Sequence, residues 1–290
     1  MKPLKKYLSI AEQVSLLESR GLIIKAKAYA STVLQNLNYY RFTGYLHDFR
    51  KPDSDNYQDD ITFEQIKALY DFDRKLTRIL MLALEDIEET LKTRLSYIVT
   101  SDNQNDPLVY LSPSIYRETE PYQKFLRLFY AAVDNNKKLP FVKHHNKEYG
   151  GNLPMWVAVE LLTMGNLHAL YDNLISKYQK LLAKTYGTGS RQLGNWLKNL
   201  TYTRNHLAHY MRVYNFNFGR TPMHCSSHPL AVAPSQMIFD QIFVISRMYS
   251  DRREWNNHII SEIESLLDEY TSFVNLSAIG FPVNWKSILS

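Results

Sequence analysis

Between residues 62 and 99, apolar side chains recur at three- and four-residue steps: Ile66, Leu69, Leu76, Leu80, Leu84, Ile87, Leu91, Leu95 and Ile98. This spacing returns to one face of a 3.6-residue helix at every turn. A stripe this long predicts one helix that serves as the spine of a bundle, because the apolar face must be covered by other elements. One acidic residue, Asp73, falls inside the stripe, on the wheel position between Leu69 and Leu80.

The other periodic segments are helical too. Ser9 with Glu12 forms a capping-box signature for a helix from about 10 to 20, ended by Gly21. A second is predicted over about 26–37, and the aromatic, Arg-containing stretch 38–50 is predicted to be helical after Thr43. Residues 51–60 read as a polar loop. Further helices are expected over about 121–135, from Pro154 to about 177, over 190–214, and over 235–250 and 254–275. Residues 101–121 and the basic, Gly-containing segment 137–154 read as loops. No β alternation, internal repeat or low-complexity tract is found. The expected architecture is all-α, a multi-helix bundle with an N-terminal helical extension over 1–60 and a helical core over 61–290, or one continuous domain.

The chain has 290 residues, one large domain or two modest ones. Its 45% hydrophobic and 22% charged residues exclude a disordered chain. The single cysteine, Cys225, excludes an internal disulfide framework and suits a reducing compartment. The N-terminus shows no apolar run of the signal-peptide kind, and no segment has the length of a membrane span, so a cytoplasmic protein with no membrane partner is expected. Net charge is +5 with pI near 9.0, which suits a polyanionic partner. The 21 Tyr, 13 Phe and 4 Trp can fill a core or stack on unpaired bases.

Chemistry concentrates in Arg204-Asn205-His206-Leu207-Ala208-His209, within the segment predicted as the 190–214 helix. Arginine is a permanent cation for charge that builds up on phosphate, and histidine carries protons near neutral pH. The helix's apolar face is Leu193, Trp196, Leu197, Leu200, Leu207, Met211 and Tyr214, and Arg204 projects close to its centre. A guanidinium there needs a carboxylate or an anionic ligand, and Asp73 is the candidate structural partner. His209 lies about 140° further round an ideal helix, so a composite site made by two copies of the helix in a homodimer brings the pair together more easily than one chain. Asn205, four residues before His209, is placed to orient the imidazole, and His206 to add a second polar group.

Other constellations are less specific. His224, Cys225 and His228 have metal-ligand types but no clear fourth ligand, so no metal and no cofactor is expected. Lys143, His144, His145 and Lys147 suit an exposed loop that touches phosphate. Tyr39, Tyr40, Arg41 and Tyr45 are candidates for stacking on RNA, or for packing in a helical hairpin, the more economical reading. Glu88 and Glu160 look like carboxylates beside apolar faces.

Four pieces of the chain, NYYRFTGY (38–45), LYDFDRKL (69–76) with IEETLKTRL (87–95), PMWVAVELLTMGNL (154–167) and WLKNLTYTRNHLAHYMRVYN (196–215), carry a resemblance. In this order and spacing the chain resembles the Abi-like abortive infection family of bacteria (AbiD/AbiF type), of the HEPN superfamily. The matching residues in the last piece are Arg204, Asn205, Ala208, His209, Arg212 and Asn215. The resemblance implies a HEPN-type helical core that dimerises around the motif helices, with Arg204 and His209 as its Arg-x4-His signature. It also implies metal-independent endoribonuclease activity and a toxin-like role in phage defence, sometimes checked by an antitoxin such as a small structured RNA. One departure is Tyr210, where the family pattern has a second His or a Ser.

The function expected from these residues is RNA cleavage at Arg204 and His209, helped by Asn205, with His206, Arg212, Tyr39, Tyr40, Arg41 and Lys143 as RNA contacts. A non-catalytic protein that binds a specific structured RNA is the alternative. A module that signals to a partner protein through the motif helix is a third.

Overall fold

The 62–99 stripe folds as one helix, α4, Phe63–Ser101 in the computed structural model, which describes residues 4, 6–223 and 234–290. The Thr62 hydroxyl accepts the Gln65 amide to start it. At ~1.5 Å per residue α4 spans roughly 58 Å. It is long enough to meet most of the other elements. Ile66, Leu69, Leu76, Leu80, Leu84, Ile87, Leu91 and Leu95 are all buried along it. Ile98 packs half-buried at the edge.

Three N-terminal helices precede it: α1 (Ile10–Ser19), α2 (Lys27–Asn36) and α3 (Tyr39–Gly44). The capping box on α1 forms as expected, with Ser9 and Glu12 bonded reciprocally. Residues 38–50 differ from expectation. Asn38 caps the helix at Tyr39, and it stops at Gly44 instead of starting after Thr43. After α4 come α5 (Thr119–Asn135), α6 (Pro140–Glu148), α7 (Met155–Ala158), α8 (Met164–Asn173), α9 (Ser176–Thr185) and α10 (Ser190–Ala208). The end of the chain adds α11 (Ile238–Met248), α12 (Arg252–Glu254), which runs through a π-helical turn into α13 (Ile260–Glu269), and the short α14 (Trp285–Leu289).

Two sequence expectations fail here for local reasons. The segment 137–154 is not all loop, because Pro140 opens α6 and Val142 anchors it in the core. The single helix expected from Pro154 to about 177 is broken into α7, α8 and α9. Thr163 and Asn166 form a reciprocal capping box that begins a new helix at Met164.

β-pairing among the described residues is confined to isolated bridges, one of them Ile23 to Thr62. The architecture is therefore all-α. Buried apolar side chains from Val14 to Leu289 make one cluster, with members on both sides of position 60. No helix among the described residues is long and apolar enough to cross a membrane. Helix α10 packs against α4, α8, α9 and α11, so only a narrow face of it, through Arg191, Lys198 and Asn205, is left exposed.

Candidate active site at the end of the motif helix

Leu193, Trp196, Leu197, Leu200 and Leu207 on α10 are fully buried, as their spacing requires. The helix does not reach Tyr214, however; it ends at Ala208 and His209 is its C-cap. The Met211 amide donates to the His206 carbonyl at 3.1 Å and the Tyr210 amide to the Leu207 carbonyl at 2.9 Å. This crossed pair is the Schellman ending, whose left-handed position usually holds glycine. Here Tyr210 occupies it at φ +56°, a conformation that costs a residue with a Cβ about 1–2 kcal/mol. Met211, expected on the apolar face, is consequently off the helix and exposed.

Asp73 supplies much of what enforces this ending. Its carboxylate is buried and accepts the Val213 amide at 2.7 Å, the Tyr214 amide at 2.9 Å and the Tyr45 hydroxyl at 2.7 Å. The sequence expectation that Asp73 pairs with Arg204 is thus corrected: its partners are two backbone amides and a phenol. Burial pushes its carboxyl up to about 6, against the pull of those donors and of Arg212. Burial and the Asp73 charge hold the Tyr45 hydroxyl well above its ordinary range, so it stays a donor.

Arg212 and His206 complete the clamp. The Arg212 guanidinium donates to the Gly44 carbonyl and to Asp48, both at 2.9 Å, tying the segment after the motif to the end of α3. Its charge is spent on protein partners, not held open for RNA. His206, expected in the cleft, is buried against Phe216 and Phe218, with ring centroids 4.4 and 5.0 Å away. Its Nε2 donates to the Arg212 carbonyl at 2.7 Å, the carbonyl acceptor fixing the tautomer. Burial pushes the imidazole below its ordinary range and keeps it neutral. It is a structural histidine.

Arg204 is half-exposed, its side chain at 36%, and not buried at the centre of the apolar face. Its Nε lies 4.0 Å from Oε2 of Glu88 on α4, while Lys92 approaches the other oxygen of Glu88 at 3.6 Å. Glu88 flanks the α4 stripe next to Ile87, a position that sequence reading marked as a carboxylate beside an apolar face without joining it to Arg204. His209 is exposed at the helix end. Asn205, also exposed, reaches it through the backbone, its carbonyl accepting the His209 amide at 3.0 Å.

The remaining candidates divide. Arg41 comes to the motif: Nη1 donates to the Tyr210 carbonyl at 2.8 Å. Tyr40 beside it is 85% exposed, whereas Tyr39 is half-buried with its hydroxyl enclosed. Lys143 is exposed on α6, in a helix and not the expected loop. The segment with His224, Cys225 and His228 lies outside the described residues. Arg74, missed by sequence reading, stacks over the Tyr210 ring at 4.3 Å from its centroid.

These contacts join α3, the Asp73 turn of α4 and the motif end of α10, three of the pieces that carried the sequence resemblance. A family model described as Abi-like protein matches residues 32–215, more than half of the chain. The chain belongs to the Abi-like family. No curated protein and no solved structure matches it. The matched Abi-like region begins within α2 and ends just after Tyr214, so it contains every residue of the clamp. The α11–α14 helices lie beyond it, with α11 packed against α10 and α4, and α13 against α4.

Proposed function

We propose that this Abi-like protein is a metal-independent endoribonuclease of the HEPN class. Its reacting side chains are Arg204 and His209, and its role is toxin-like, in phage defence by abortive infection. One observation carries the reading: α10 ends at the motif itself, which leaves the imidazole of His209 exposed, five residues beyond a half-exposed Arg204. Family membership supports the abortive-infection role. The open face of α10 adds Arg191 and Lys198, which line a hollow of about 390 Å³ together with Arg117 and Asp172. This gives a polyanion further cations along the same helix.

The chemistry is in-line attack of a ribose 2′-hydroxyl on the adjacent phosphorus. The new bond is 2′-O to phosphorus and the broken one is phosphorus to 5′-O. One imidazole accepts the 2′ proton and an acid returns a proton to the departing 5′ oxygen. Arg204 leaves Glu88 to stabilise the added charge on the non-bridging oxygens. One chain exposes a single motif imidazole, because His206 is buried. A homodimer that brings two motif ends together pairs Arg204 of one chain with His209 of the other, with a water molecule as the returning acid, and such a composite site is part of the proposal. The same observation favours a second reading for the isolated chain, a non-catalytic protein that binds a structured RNA.

Product chemistry separates these readings. Labelled RNA incubated with the protein in EDTA is expected to yield 2′,3′-cyclic phosphate and 5′-hydroxyl ends, while DNA of the same sequence survives. Intact RNA with measurable binding would favour the binder. Cleavage of DNA, or activity lost in EDTA, would overturn the mechanism.

A further inference from the structure

We propose that Arg41, Arg74 and Tyr210 form a phosphate-binding subsite that holds single-stranded RNA beside His209. This rests on the reading of the protein as an RNA-acting one and adds where the strand is gripped. Two guanidiniums face one tyrosine ring, Arg74 at 4.3 Å and Arg41 at 5.9 Å from its centroid. Carboxylates close to Arg74 and Arg41 in the chain are already committed: Asp48 to Arg212, Asp71 to Lys67, and Asp73 to amides and Tyr45. The two arginines therefore keep their charge beside the motif, within the described residues. Nη1 of Arg74 is buried and has no hydrogen-bond partner among them, a costly state for a charged donor that an anion would relieve.

The backbone points the same way. Tyr210 holds the left-handed position where glycine is the default, and the residue is 55% exposed. A strained, exposed aromatic residue that two arginines hold by ring and by carbonyl signals a ligand contact more than a packing need. Tyr210 directly follows His209, so a phosphate held by Arg41 and Arg74 fixes the strand next to the proton carrier. The ring offers a stacking surface for the adjoining base.

The test is fluorescence anisotropy with a labelled single-stranded RNA of mixed sequence, in the His209→Ala background so that no cleavage intervenes, at 50–200 mM salt. Arg74→Ala and Arg41→Ala are each expected to weaken binding and to lower the slope of log K against log salt by ~0.7, the value for one lost phosphate contact on a single strand. Arg74→Lys should restore the slope. Tyr210→Gly, which relieves the backbone strain, should stay folded by thermal melting yet bind more weakly. Unchanged slopes, or a parent that binds no RNA, would overturn the subsite. Cleavage by the wild type is scored separately: cleavage with unchanged slopes rejects the subsite alone, and changed slopes without cleavage reject the nuclease alone.

Discussion

Nε of Arg204 lies 4.0 Å from Oε2 of Glu88, so the motif's cation faces a carboxylate from α4. With the Arg204 side chain partly in solvent, the pair is weak, and exposed pairs contribute about 0.2–1 kcal/mol. Glu88→Gln removes the competitor for Arg204 and one negative charge from an anion site. RNA affinity measured by anisotropy is expected to rise roughly twofold to fivefold. A fall in affinity would mean that Glu88 positions Arg204 for RNA instead of competing with it.

Asp73 makes stability depend on pH in a defined direction. Its carboxyl is up to about 6 in the fold, against about 3.9 unfolded. Between those values the folded chain keeps a proton that the unfolded chain has released. The contribution is therefore fully present below about pH 4 and is lost as pH rises through about 6, a change of about 3 kcal/mol. Urea midpoints from pH 4 to 7 should show the stability difference between wild type and Asp73→Asn changing by that amount. A constant difference would contradict it.

The two histidines of the motif should behave oppositely. His206→Ala empties a buried site and orphans the Arg212 carbonyl, so unfolding free energy is expected to fall by about 2–4 kcal/mol. Assayed below its melting temperature, that variant should cleave RNA within about threefold of wild type, because a buried neutral imidazole takes no part in proton transfer. A hundredfold loss with the fold intact would place His206 in the chemistry.

If the site is composite, two dead variants repair each other. Arg204→Ala and His209→Ala, refolded together in equal amounts, should regain roughly a quarter of the wild-type rate, since half of randomly assorted dimers are mixed and each has one intact site. No recovery, in a mixture shown by light scattering to be dimeric, would confine the site to one chain.

Much of this arrangement was legible in the sequence where side chains alone decide it. The α4 stripe and the buried row on α10 follow from apolar spacing, and Asp73 stood out as an acid inside a stripe. Its partners did not, because two of them are backbone amides, which every residue carries. The end of α10 was also hidden: no glycine or proline marks it, and tertiary contacts from Asp73 and Arg41 hold Tyr210 in a conformation its side chain disfavours. The break at Thr163 was written in the Thr163–Asn166 box, but the surrounding apolar run masked it.

The central claim is that Arg204 and His209 together carry RNA cleavage. The most direct measurement compares single-turnover cleavage of labelled RNA in EDTA by the wild type, Arg204→Ala and His209→Ala, each checked for fold and for RNA binding. Both variants are expected to lose ~10²-fold or more in rate while still binding RNA. Equal cleavage by all three proteins would contradict the account.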